Sequence, residues 1–140
     1  MSEKFKQPCK TCPWSRKIEP GQTGGAHPFK FIGQAEGPFW LPCHSSPGYE
    51  EDRRNQEHRQ CAGAAMYRDL AGIAERLPDG LHRLEGDAEL VFASPAEFLA
   101  HHAKMKPEEA EEEMLRYPPE LLLQYEMAQI GVQPMFRRKP

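Results

Sequence analysis

A chain of 140 residues with 28% charged side chains and a net charge of −3 suits one folded domain, and it is too acidic to coat nucleic acid by charge alone. No run approaches the roughly 20 apolar residues that span a bilayer, so a membrane-embedded helical protein is not expected. Fourteen prolines and eleven glycines make up about 18% of the chain against a typical ~12%, which predicts long irregular stretches.

The opening Met1-Ser2-Glu3-Lys4-Phe5-Lys6-Gln7 lacks the apolar core of a secretory signal, which predicts a cytoplasmic protein. Residues 1–51 carry proline or glycine so often, from Pro8 to Gly48, that only loops and short pieces are expected there. Pro28–Ile32 and Phe39–Leu41 are apolar enough to be short strands or core plugs. The pattern then changes. Met66, Leu70, Ile73 and Leu77 recur at spacings of four, three and four, one face of a helix over about 62–77, with Arg68, Asp69, Glu75 and Arg76 on other faces. Pro78-Asp79-Gly80 ends it. Glu89–Phe92 reads as one short strand. Ser94-Pro95-Ala96-Glu97 is a helix start, with a serine N-cap, proline at the first helical position and a capping-box glutamate; this helix runs to about Met105. Further helices are predicted over 107–117 and from Pro119 to about Ile130, where Gly131 stops the last one.

The expected architecture is therefore α+β and α-rich: a single domain of residues 1–140, with a four-cysteine metal-binding half (1–77), its irregular N-terminal part pinned by the metal, followed by a helical half (78–140), about four helices in all after the irregular segment. Residues 1–61 carry nine Lys/Arg against seven Asp/Glu, and residues 62–140 nine against fourteen. Arg137-Arg138-Lys139 is a basic tail on the acidic half. The run Glu108–Glu113 reads as a solvated helix face near a helix N-terminus, where the macrodipole favours negative charge.

Cys9, Cys12, Cys43 and Cys61 are the only cysteines, spaced C-x2-C-x30-C-x17-C. In a reducing compartment four cysteines point to metal ligation or catalysis rather than disulfides. A C-x2-C pair offers two thiolates to one ion from a single turn, and two distant thiolates complete a tetrahedron or the corners of a cluster. An irregular, proline-rich segment buries little apolar surface, and a metal is a common way to hold one. The alternatives are unrelated buried thiols, disulfides, or a thioredoxin-like C-x2-C. The last lacks the strand and helix that should precede it, because Cys9 stands so near the start.

Three blocks carry a resemblance: Pro8-Cys9-Lys10-Thr11-Cys12-Pro13-Trp14-Ser15-Arg16, Pro42-Cys43-His44 and Gln60-Cys61-Ala62-Gly63. In this order they resemble a group of small phage and actinobacterial proteins of unknown function with C-x2-C-P-W, C-H and C-A-G blocks, over roughly residues 8–70. The resemblance implies a phage or mobile-element origin, hence a host cytoplasm, and a metal site. It implies no activity.

Zinc and a [4Fe–4S] cluster are both expected candidates. Zinc is the commoner ion for four cysteines in a small cytosolic module. A proline directly after Cys12 and spacing similar to that of the iron–sulfur uracil-DNA glycosylases favour the cluster. His44 is either a further ligand or a donor to a thiolate. Trp14, Phe39 and Trp40 read as a hydrophobic shell round the site, with stacking on nucleic-acid bases as the alternative. Ala62–Ala65 allows close backbone approach after Cys61, and a cysteine at a helix start gains from the dipole. His58, His82, His101 and His102 read as surface histidines. Lys4, Lys6, Lys10, Arg16, Lys17, Arg53, Arg54 and Arg59 could form a basic face suited to phosphates.

No paired Ser/His/Asp, H-E-x-x-H or phosphate loop is present, so an enzyme is not the favoured expectation. The leading expectation is a phage-type metal-binding accessory or regulatory protein that contacts nucleic acid or a host protein. The alternative is a [4Fe–4S] protein with a redox-sensing or nucleic-acid-processing role.

Overall fold

The three helices with explicit start signals form where those signals lie. Ser94 Oγ accepts from the Glu97 N–H (3.2 Å), Pro95 occupies the first turn, and α3 spans Pro95–Ala103. The chain leaves α3 through Lys104 in the left-handed conformation, which ends the helix at Ala103, two residues short of the expected Met105. The backbone N–H of Lys106 donates to Glu109 Oε1 (3.0 Å) at the head of α4 (Pro107–Arg116). Pro119 opens α5 (Pro119–Ile130). Glu108, Glu109, Glu111 and Glu112 are exposed while Ala110 is fully buried, so the acidic run is a solvated face. The computed structural model describes residues 12–23, 25–37, 41, 61–76 and 84–130.

Pro28–Glu36 is a helix, α1, and not a strand, and its Ile32 does plug the core. The His27 side chain supplies the N-cap, Nδ1 accepting from the Phe29 N–H (3.0 Å), and Pro28 sits at the first position where its missing N–H is harmless. Histidine is a rare cap, and the surrounding prolines and glycines suggested broken chain. Nine residues nonetheless fit between Pro28 and the break at Gly37.

The second helix, α2, spans Ala62–Leu70 and stops short of the expected end near Leu77. Gly72 takes a left-handed φ of +78°; its N–H reaches Asp69 O (3.2 Å) and the Ile73 N–H reaches Arg68 O (2.9 Å). Those two bonds make a Schellman stop, which glycine accepts without strain. Ile73 is still core, but by way of this turn and the short 3-10 segment Ala74–Arg76. Leu77 and Pro78–Gly80 lie outside the described residues, as do Phe39 and Trp40.

No strand occurs among the described residues. Val91 forms one isolated antiparallel bridge with Ser15, so the expected strand over 89–92 is reduced to a single rung and the described architecture is helical. The Arg16 N–H bonds Leu90 O (2.9 Å) and the Phe92 N–H bonds Trp14 O (3.2 Å), laying the segment after Cys12 beside 90–92.

The helix α1 is central: α5, α3 and α2 all pack on it, and α4 packs on α3. Ile32, Phe98, Leu99, Tyr67, Val91 and Cys12 are buried with almost no exposed surface. Trp14 stacks on Tyr67 and on Phe98, each with ring centroids 4.5 Å apart, and meets Phe31 edge-on at 6.0 Å. Such aromatic pairs add about 0.5–1.5 kcal/mol beyond the area they bury. No helix among the described residues is long and apolar enough to cross a membrane.

The α1–α5 crossing depends on Gly33. A Cβ there would stand 2.7 Å from Leu122 O and 2.8 Å from its carbonyl carbon, both backbone atoms that cannot turn aside. Gly33→Ala should therefore push α5 off α1, and its cost should follow the overpacking range of about 1–3 kcal/mol despite the better helix propensity of alanine. Chemical denaturation measures this; a Gly33→Ala chain as stable as the parent would contradict the close crossing.

Candidate metal centre

The Cys12 and Cys61 sulfurs stand 3.6 Å apart, although 49 residues separate them in sequence. Both side chains are buried, Cys12 completely, and both belong to the main core cluster. The separation is well beyond the ~2.05 Å of a covalent S–S bond. It is close to the roughly 3.7–3.8 Å expected between two thiolates bound to one tetrahedral ion with M–S near 2.3 Å. In a cubane cluster each cysteine takes its own iron and the thiolates diverge to separate corners, which sets the sulfurs much further apart.

Each sulfur is placed by several independent holds. Cys12 begins a turn in which the Ser15 N–H bonds Cys12 O (3.0 Å). The next carbonyl, Pro13 O, lies 2.8 Å from His102 Nε2, and Trp14 is sealed in the aromatic cluster. The Arg16 side chain donates to Ala88 O and to Glu97 Oε1 (2.7 Å), and its guanidinium lies 5.5 Å from the Phe92 ring centre. Cys61 is the N-cap residue of α2, and its N–H bonds Leu41 O at 2.7 Å. Cys61 thus stands at the positive end of the α2 dipole, a place that favours a thiolate over a thiol.

Of the expected ligands, the structure brings Cys12 and Cys61 together. Cys9 and Cys43 lie outside the described residues, as do His44, His58 and His82. Among the described residues no three His, Cys, Asp or Glu side chains gather into a fuller ligand set. No family model, curated protein or solved structure matches this chain.

Trp14 is 3% exposed, so it serves as core beside the cysteines and offers no face to a nucleic-acid base. Arg16 is engaged by Glu97 and does not stand in an open basic face; Lys17 is exposed, and Lys4, Lys6, Lys10, Arg53, Arg54 and Arg59 lie outside the described residues. Arg68, expected on a solvent face, is 2% exposed and donates to the carbonyls of Gln34, Ala35 and Gly37 at the end of α1. Its position in sequence gave no sign of this. A buried arginine needs several acceptors, and only tertiary structure shows that the frayed end of α1 supplies them. The Tyr67 hydroxyl next to it is fully buried and meets no hydrogen-bond partner among the described residues. Burial, with Glu36 nearby, drives its ionisation far above the usual tyrosine range, so it is a neutral core side chain.

His101 and His102 are not surface histidines. Gly21 N–H donates to His102 Nδ1 (3.1 Å), which fixes the proton on Nε2, and Nε2–H donates to Pro13 O. His101 Nε2 lies 2.6 Å from Ile18 O. Together they clamp the segment that carries Cys12 onto α3. Protonating His102 would point a second N–H at the Gly21 N–H. Burial pushes its pKa below the ordinary value and His101 adds to this, against the opposing pull of Pro13 O. The folded state then binds fewer protons than the unfolded chain as pH falls below about 6.5, so the stability this clamp contributes is full above that pH and is lost toward acid. The stability gap between the parent chain and His102→Gln should be widest at pH ~7.5 and narrow by pH ~5 in thermal melts. A gap that widens on acidification would contradict the neutral clamp.

Proposed function

We propose that this chain is a non-enzymatic module whose N-terminal half is held by one metal ion, zinc before any other, bound by the thiolates of Cys9, Cys12, Cys43 and Cys61. The 3.6 Å approach of the Cys12 and Cys61 sulfurs carries this reading. Connectivity supports it for the other two cysteines. At about 3.8 Å between consecutive Cα atoms, Cys43 stays within roughly 8 Å of Leu41, whose carbonyl already holds the Cys61 N–H. Cys9 is limited in the same way to roughly 11 Å from Cys12.

The donor set fits zinc. Four thiolates close a tetrahedron and leave no position for water or substrate, which is the pattern of a structural site. The ion would fix the cysteine turns and make folding of this half cooperative. The short sulfur–sulfur separation favours two cysteines on one ion over the [4Fe–4S] alternative, in which every cysteine has its own iron.

The module reads as a phage-type accessory or regulatory protein that works through contacts with nucleic acid or a host protein. The described surface supports a protein partner of the two. Trp14 and Arg16 are committed internally, the α4 glutamates are exposed and would repel phosphate, and Leu115 and Tyr125 are exposed at 83% and 62%.

Protein purified with zinc should be colourless and carry one ion per chain. Cys12→Ser and Cys61→Ser should each lose that ion and the thermal transition of the N-terminal half, because removing one thiolate exposes the others to solvent and proton competition. A brown protein with broad absorbance near about 400 nm would replace zinc with an iron–sulfur centre. Full thermal stability in both serine variants would defeat a structural metal altogether.

A further inference from the structure

The Cys12 and Cys61 sulfurs lie 3.6 Å apart inside the core, at contact distance. A covalent S–S bond of ~2.05 Å needs them to close by about 1.5 Å, which small turns about the two Cα–Cβ bonds supply. The backbone can stay where its hydrogen bonds hold it, the Ser15 N–H on Cys12 O and the Cys61 N–H on Leu41 O. The two sulfurs differ in access. Cys61 is 7% exposed and Cys12 0%. Cys61 also starts α2, where the helix dipole favours a thiolate, the form that reacts with oxidants. A slightly open thiolate with a second, closed-off sulfur against it is the arrangement of an attacked cysteine and its resolving partner.

We infer that Cys12 and Cys61 form a peroxide-sensitive dithiol site in which Cys61 is attacked first and Cys12 resolves it. This stands on the sulfur pair alone and holds whether or not the chain carries a metal. The Cys61 thiolate attacks one oxygen of hydrogen peroxide, the O–O bond breaks, and the departing hydroxide takes up the proton that Cys61 gave away. Cys61 is then a sulfenic acid. The Cys12 sulfur attacks the Cys61 sulfur: the S–S bond forms, the S–O bond breaks, and the hydroxyl leaves with the Cys12 proton as water. The sulfurs have given an electron pair to the peroxide, which ends as water. Both sulfurs are also withdrawn from any ion they share, so the same step would release a bound zinc; only this consequence rests on the metal reading above.

The test treats the full chain as purified with a small excess of hydrogen peroxide, blocks it with N-ethylmaleimide, digests it with trypsin without reduction and maps the links by mass spectrometry. Trypsin cuts after Lys6, Lys10, Arg53, Arg54 and Arg59, which puts each cysteine on its own peptide. The same treatment in urea is the reference, because an unfolded chain closes its shortest loop most readily and joins Cys9 to Cys12 in preference. The folded chain should give Cys12–Cys61 as its main link, at least about tenfold more of it than the unfolded chain, and dithiothreitol should remove it. In a short pulse with dimedone present, the label should fall on Cys61 and spare Cys12. Another main link in the folded chain, sulfinic acid in place of a link, thiols left unreacted, or dimedone on Cys12 ahead of Cys61 would each overturn the inference. Zinc that stays bound while the link forms would overturn the release step. A parent chain that takes up no zinc would defeat the metal reading, while the mapped link would still decide the dithiol site.

Discussion

The meeting of Cys12 and Cys61 in the core is the constraint on which the rest of the described structure turns. Two sulfurs 49 residues apart in sequence lie at a distance suited to one shared ion, and the surrounding contacts each keep one of them in place. Joining residues so far apart closes a long loop. By the chain-entropy argument used for disulfides, a permanent link over about 50 residues removes roughly 4 kcal/mol of freedom from the unfolded chain. An ion bridging them would act in the same sense.

The helices serve this arrangement in different ways. α2 delivers Cys61 at its positive end. α3 supplies His101 and His102, which hold the backbone on either side of Trp14, and Glu97, which holds Arg16. α1 lies between them, packed on α3 and α5, with its last carbonyls closed by Arg68 from α2. The aromatic cluster of Trp14, Phe31, Tyr67 and Phe98 is therefore both the core of the described fold and the wall behind the cysteine pair. Arg68 ties α2 to α1, and the histidines tie the segment after Cys12 to α3.

What could be read in advance was what depends on local chemistry. Ser94, Pro95, Pro107 and Pro119 announce helix starts by satisfying or lacking particular N–H groups, and α3, α4 and α5 begin there. Cysteine spacing grouped Cys9, Cys12, Cys43 and Cys61 as one set, and among the described residues the fold brings Cys12 and Cys61 together. The readings that failed depend on tertiary partners or on a weak local signal. His27 caps α1 with a ring nitrogen, an uncommon device in a stretch crowded with breakers. The apolar rhythm runs on through Gly72 to Ile73 and Leu77, and so hides the stop that the glycine makes at φ +78°. Val91 and Phe92 have strand-forming side chains, yet among the described residues they find Ser15 and its neighbours across from them, and one bridge results. The burial of Arg68 and His102 could not be read from spacing, because their acceptors lie 31 and 89 residues away.

X-ray absorption at the zinc edge of the zinc-loaded full chain addresses the sulfur pair most directly. A single shell of four sulfurs at about 2.3 Å, with no light-atom ligand, is the predicted result. A first shell dominated by nitrogen or oxygen, or one with fewer than two sulfurs, would contradict it, since Cys12 and Cys61 would then not share the ion.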